Sequence, residues 1–239
     1  MPSRSDVDRL RSANADIVRL ATSRLSEVMG GLDLTRPERA RDALLVAVPA
    51  ITSAFGEVSA TVAADWYDDL RASAPRSGRV PSFSATLAEP VGAEVVAASV
   101  RFAAGRLFTD TPAAAGDVLA GAVQRHVLAP GRATVSQSVA RDPWRARWAR
   151  VPSGRACAFC TMLASRGPIY ASEESAGGMG DYHDHCGCTA TPVWPNDPLP
   201  EGYDPDALYA DYQGAVDEVG NSSDTPAILA AMRQQLALA

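Results

Sequence analysis

Residues 150–160, RVPSGRACAFC, mark the point in this chain of 239 residues where one kind of sequence stops and another begins. Upstream, apolar residues recur at the three- and four-residue steps of amphipathic helices. Downstream come Cys157-x-x-Cys160 and then, after 22 intervening residues, His183-Asp184-His185-Cys186-Gly187-Cys188. Pro152 and Gly154 interrupt a helix, and the segment closes on Thr189–Trp194 (TATPVW), which reads as a short strand. The fold expected is mainly α. An N-terminal helical domain spans 1–149, a small α+β zinc-binding module spans 150–195, and an acidic, partly helical C-terminal tail spans 196–239.

Working back from that boundary, Val7, Leu10, Ala13, Ile17, Val18, Ala21, Leu25 and Val28 share one face of a helix predicted over 5–29. Gly30-Gly31 ends it, because glycine readily takes the left-handed conformation beyond a helix terminus. Thr35-x-x-Glu38 has the pattern of a capping box, with Pro37 in the first turn. The helix it opens is expected to bend or break near Pro49, and then to carry a stripe of Ile51, Phe55, Val58, Val62, Trp66 and Leu70. Residues 73–84 are rich in Pro, Ser, Gly and Arg and read as a loop. Helices are predicted over 90–107, 112–128 and 131–149, the last interrupted near Asp142-Pro143. His126 falls on a helix with no partner motif and reads as a surface or satisfied core residue.

The chain is 46% hydrophobic and 21% charged, ordinary values for a soluble globular protein. The net charge of −6 argues against a general nucleic-acid-coating protein. The charge is segregated, however. Arg125 to Arg155 holds seven arginines and one acid, Asp142, whereas Asn196 to the end holds eight acids and one base, Arg233. Both stretches read as solvated surface or as a contact face, the basic one suited to a partner or a DNA backbone. Every base is Arg and none is Lys, which points to a GC-rich genome. No run of eighteen apolar residues is present, so no membrane span is expected. The opening MPSRSDVDRLRSAN lacks the apolar stretch of a secretory signal, so a cytoplasmic setting is expected.

All four cysteines and two of the three histidines lie between positions 157 and 188. Two thiolates on a C-x-x-C knuckle face one ion from a tight turn, and His183 with Cys186 or Cys188 completes a Cys3His set. Cys157 and Cys160 come first among the candidate ligands, then His183, with Cys186 and Cys188 competing for the last place. Disulfides need an oxidising compartment. A thioredoxin-like pair needs a strand–CxxC–helix setting that is missing here, and unrelated free thiols would not cluster. A catalytic zinc would keep an open position and an acid or base beside it. Glu173, Glu174, Asp181 and Asp184 are near, but the zinc deaminase and zinc protease signatures are absent. A structural zinc and no enzymatic activity are expected, with a zinc-dependent hydrolase as the alternative.

Three stretches carry a resemblance: RVPSGRACAFCTMLASRGPIY at 150–170, YHDHCGC at 182–188 and PVW at 192–194. Together with Ala63–Arg71 (AADWYDDLR) and Gly202–Pro205 (GYDP), they resemble the MuF-like minor capsid proteins of tailed phages, actinobacteriophage type. The similarity runs over about residues 5–212. It implies a virion protein of low copy number inside the head near the portal, made in the host cytoplasm and acting in head assembly, genome packaging or ejection. The partners implied are the portal and major capsid proteins, and the Arg125–Arg155 region is suited to non-specific contact with packaged DNA, which is expected to weaken when Arg141, Arg145 and Arg147 are changed to Glu. The family's metal ligands fall on Cys157, Cys160, His183 and one of Cys186 or Cys188, and His185 is left out.

Overall fold

A computed structural model describes residues 3–74, 81–154, 156–170 and 182–237. Among the described residues lie seven helices and one two-stranded sheet. In chain order they are α1 (Arg4–Gly30), α2 (Pro37–Ser73), α3 (Ala93–Ala104), α4 (Ala114–Arg141), β1 (Arg147–Val151), α5 (Ala158–Ala164), β2 (Thr189–Val193), α6 (Pro205–Val219) and α7 (Thr225–Leu236). The protein is mainly helical, as expected. Part of the predicted loop, 75–80, lies outside the described residues, as do Arg155, Glu173, Glu174 and Asp181.

The predicted stripe on α1 buries Val7, Leu10, Ile17, Ala21 and Leu25. A capping box starts this helix. Ser3 Oγ accepts from Asp6 N at 3.1 Å while the Asp6 carboxylate accepts from Ser3 N at 2.9 Å. The box expected at Thr35–Glu38 does not form, and Arg36 takes the N-cap position without a side-chain bond. Asp33 wins the contest for Thr35, accepting from its hydroxyl at 2.6 Å and its N–H at 3.1 Å.

Two of the predicted helix breaks are bridged. Helix α2 runs through Pro49, and α4 runs through Pro130-Gly131, joining two stretches that the sequence suggested were separate. An interior proline costs on the order of 3 kcal/mol, but α2 and α4 form the largest helix–helix contact of the body, and burial of their shared faces outweighs that. By length and composition α2 also qualifies as long enough to cross a membrane. Here it packs against α1, α3 and α4 as the central core helix. Its predicted stripe holds at Ile51, Trp66 and Leu70, whereas Val58 turns outward.

The α2–α4 crossing depends on small residues. A methyl group at Gly131 would lie 2.5 Å from Ser59 Oγ and 2.8 Å from Ser59 O, and Pro130 Cγ sits 3.2 Å from the Cβ position of Gly56. Gly131→Ala is therefore expected to lower the urea-unfolding free energy by about 1–3 kcal/mol, with partial recovery when Ser59→Gly is added. Equal stability of the Ala variant and the parent would show that the helices can separate freely at this point.

The helix predicted over 131–149 stops at Arg141, and its last residues belong to strand β1 instead. Asp142 is extended (ψ 119°), the conformation that the following Pro143 favours. Trp148 and Val151 then find a sheet partner: β1 and β2 pair antiparallel, with Trp148 opposite Pro192 and Arg150 opposite Ala190. The strand expected at 189–194 is thus present as β2. The ladder lies on α2 and α4 through a second apolar cluster that includes Trp66, Tyr67, Val139, Trp148 and Trp194.

Asp142, the single acid of the basic segment, is the polar centre of that cluster. Its carboxylate accepts from Tyr67 Oη (3.0 Å), Arg71 Nε (3.1 Å), Trp194 Nε1 (2.9 Å) and the N–H of Trp144 (2.9 Å). Trp66 of the same α2 stretch donates to Asp6 O on α1 at 2.9 Å. The AADWYDDLR segment thus ties three elements together. The acidic C-terminal stretch carries two helices. Helices α6 and α7 pack on each other and on α5 through Ala158, Ala215, Ile228 and Met232.

Candidate metal centre

Cys157 is the N-cap of α5, and its sulfur accepts the N–H of Cys160 at 3.4 Å. One helical turn therefore brings both knuckle sulfurs to the same side. The second arm, 182–188, arrives over α4, where Gly121 makes room for it. A Cβ at Gly121 would lie 2.9 Å from His185 Nε2 and 3.0 Å from Asp184 Cβ. His185 takes a positive φ of 63°, and the turn at 183–186 directs His183 and Cys186 back toward the knuckle. Arg125 on α4 holds this turn from outside, with its Nε 2.7 Å from Asp184 Oδ1.

The five residues expected from sequence to supply ligands converge. Cys157 Sγ and Cys160 Sγ lie 3.0 and 3.3 Å from His183 Nε2, and Cys160 Sγ lies 3.5 Å from Cys186 Sγ. Two donor groups result, Cys157–Cys160–His183 and Cys160–Cys186–Cys188, and Cys160 belongs to both. All four cysteines are free thiols. His185 joins neither group and instead rests against Gly121.

The donor set suits a metal ion. A thiolate pair on an ion with metal–sulfur bonds of about 2.3 Å stands somewhat under 4 Å apart in tetrahedral coordination, close to the Cys160–Cys186 spacing. His183 Nδ1 lies 2.6 Å from Asp184 O. Donation of its N–H there leaves the Nε2 lone pair facing the sulfurs, which is the usual way a ligating imidazole is oriented. Electrostatics prepare the same face. The Cys186 thiol is pulled down by hydrogen bonds from Cys160 and Cys188 and by the Arg132 guanidinium, and the Cys160 thiol is pushed up by the same shared bonds. Cys186 is thus the thiol of the shared cluster that gives up its proton first, while Cys160 and Cys188 hold theirs more tightly.

Sequence reasoning missed the groups around these donors. Arg132, placed in the basic stretch as surface, is buried and donates to Cys186 O at 2.7 Å and Cys188 O at 3.4 Å. Arg150 is buried beside it, and both guanidiniums lie about 4 Å from the Tyr182 ring centroid, at 4.0 and 3.9 Å. The Tyr182 phenol is pushed up to about 12 by its burial. The remaining histidine, His126, is buried against Ser99 at 2.9 Å, and burial brings its pKa down to about 4. It is the satisfied core residue that the sequence allowed for.

Fold and site together define a helical body that carries a thiol- and imidazole-lined module able to hold a metal ion. The chain belongs to the family described as VG15 protein, which matches residues 1–215. A relative of known source is the Gene 15 protein of Mycobacterium phage D29, 44% identical over 72 residues, an alignment that covers 28% of this chain and 26% of that protein. The matched region thus spans about a quarter of the relative's length. No solved structure matches the chain. The protein is one of a bacteriophage family.

Proposed function

We propose that this protein is a MuF-like minor capsid protein of a tailed phage, located inside the head near the portal, where it acts in head assembly, genome packaging or ejection. Membership of a phage family over residues 1–215 carries this reading. The Cys/His cluster is a structural zinc site in it. Zinc accepts soft thiolates and imidazole in a closed shell, and the ion would be held by Cys157, Cys160, His183 and one or both of Cys186 and Cys188. Bound there, zinc supplies folding free energy by tying the knuckle on α5 to the 182–188 arm. The protein is not an enzyme. Of the acids near the donors, Asp184 is engaged by Arg125 and does not stand ready as a general base for a hydrolase.

Mass spectrometry of purified virions tests this role. The expected result is a few copies per particle, released together with the portal when heads are disrupted. Absence from virions, or a turnover activity lost on zinc removal, would favour the hydrolase reading.

Contact with packaged DNA rests on fewer arginines than the sequence suggested. Arg132 and Arg150 are buried, Arg125 is paired with Asp184, and Arg141, Arg145 and Arg147 remain exposed around the α4–β1 turn. Changing these three to Glu is expected to weaken association with DNA or portal and to flatten its salt dependence. Unchanged binding at low salt would remove the basic turn from the interface.

A further inference from the structure

Helix α2 lies at the centre of the body, yet it keeps a second apolar face that the body leaves uncovered. Among the described residues it is the one helix long and apolar enough to cross a membrane, but only 39% of its most apolar stretch is buried. Val46 and Val58 are 76% and 46% exposed, and Ala43, Ala50 and Ala54 are exposed beside them. These positions recur at three- and four-residue steps, so they share one side of the helix. The opposite side buries Leu44, Val48, Ser59 and Ala63. Next to the uncovered face a groove of about 540 Å³ runs between α1 and α2, lined by Leu20, Val28, Ala47, Ile51, Ala54 and Phe55. Its two charged residues, Arg24 and Glu27, pair with each other. The ends of the face carry opposite charge. Arg36 and Arg39 are exposed on it at the start of α2, and Glu57 and Asp65 are exposed on it toward the other end.

We infer that a second copy of the chain docks on this face, with α2 pairing antiparallel to its own counterpart about a two-fold axis beside Ala50. Such an axis sets Arg36 of one copy opposite Asp65 of the other, Ala43 opposite Val58 and Ala47 opposite Ala54. Arg39 falls between Glu57 and Asp65. The contact is isologous, so each of these pairings occurs twice. Parallel pairing would instead set arginine against arginine and acid against acid, so the charge pattern selects the antiparallel register. The alanines near the axis let the two helices approach to about 8 Å. From Arg36 to Asp65 the face is about 44 Å long at 1.5 Å per residue. With the α1 side of the groove it is two helices wide, roughly 20 Å, which provides the ~800 Å² per partner of a standard interface. A lipid surface fits less well, because it favours a basic border around an apolar face, and one end of this face is acidic. The inference does not depend on the metal site.

Sedimentation equilibrium of the full chain over a wide concentration range, with circular dichroism as a check of folding, tests this. The parent is expected to pass from monomer to dimer and no further. Ala50→Glu sets two carboxylates against each other at the axis, on a residue exposed in the single chain, and is expected to stay monomeric with unchanged helix content. Arg36→Glu and Asp65→Arg are each expected to raise the dimer dissociation constant about tenfold or more, since like charges then face each other. The double variant Arg36→Glu/Asp65→Arg restores opposite signs across the axis and is expected to recover most of the parent affinity. A role of either residue in its own fold alone would not give that recovery. A parent that remains monomeric at every concentration overturns the inference, as does a dimer that Ala50→Glu leaves intact, or a double variant as weak as either single one. If Ala50→Glu fails to fold, the charge-exchange series at the two ends of the helix decides alone. A monomeric parent that binds neutral vesicles or another head protein through Val46 and Val58 would overturn it in favour of a different occupant.

Discussion

Replacing Asp142 by Asn is expected to cost the folded protein about 3–5 kcal/mol, the usual penalty for leaving one member of a buried ion pair alone. The carboxylate is fully buried and its partner Arg71 is 7% exposed. Arg71 has further duties that prevent it from swinging out. It donates to Pro81 O at 2.9 Å, and its guanidinium lies 4.2 Å from the Trp144 ring centroid. An amide in place of the carboxylate keeps the shape but turns one acceptor oxygen into a donor that faces N–H and O–H donors. For a chain of this size each kcal/mol moves the melting temperature by roughly 2–4 °C, so a drop on the order of 10 °C should appear in a thermal scan. A melting temperature unchanged within a degree or two would show that Asp142 does not anchor this cluster.

The same carboxylate sets an acid limit on stability. Burial pushes the Asp142 pKa upward, but bonds from the Trp144 N–H, Trp194, Arg71 and Tyr67 outweigh it and hold the value below the ordinary carboxylate range. A group whose pKa is depressed in the folded state contributes stability above its unfolded pKa, near 4, and loses it as pH falls through the folded value. Urea midpoints measured from pH 7 down to pH 2 should therefore fall below about pH 4 in the parent. In Asp142→Asn that part of the acid dependence should be missing.

The contrast between Asp142 and the neighbouring arginines shows what a linear reading could reach. Helix positions, the 189–194 strand and the five donor residues follow from local pattern: the 3.6-residue period, the proline stops, and the spacing of soft ligands. What stayed hidden depends on packing between distant segments. Pro49 and Pro130 read as breaks because their cost is local, whereas the reward, the α2–α4 interface with Gly56 and Gly131 at the crossing, comes from residues more than fifty positions apart. Arg147–Ala149 read as the end of a helix; only the pairing with Thr189–Val193 makes Arg147–Val151 a strand. Arg132 and Arg150 look like Arg141 and Arg145 in sequence. Their burial is decided by Tyr182 and the cysteine carbonyls, which lie 32 or more positions downstream. One clue was present: a lone acid among seven arginines is more easily explained as an internal partner than as a surface residue.

If the cluster holds the proposed zinc, removing the metal should unravel the protein in a particular order rather than all at once. The cluster of Cys160, Tyr182, Cys186 and Cys188 is small and offers little apolar burial of its own, so in the proposed reading its closure depends on the ion. In isolated zinc-finger peptides that contribution is on the order of 10 kcal/mol or more, and only part of it is needed here because α4 and β1 already brace the site. The β1–β2 ladder does not need the metal, since Trp148 packs on Tyr170 and Trp194 is bound to Asp142. Helix α5 does need it, because its first turn is the Cys157–Cys160 knuckle. The α6–α7 hairpin is anchored on α5 through Ala158 and should loosen with it. Chelation is therefore expected to raise amide hydrogen exchange over 157–164, 182–188 and 205–236 while leaving 96–139 protected. Cys160→Ser should reproduce that pattern in the presence of zinc, because Cys160 is the donor common to both ligand groups. A cooperative loss of protection that includes α4 would instead mean that the module and the helical body fold only together. Unchanged exchange in all of these segments would mean that the thiols carry no metal of structural consequence.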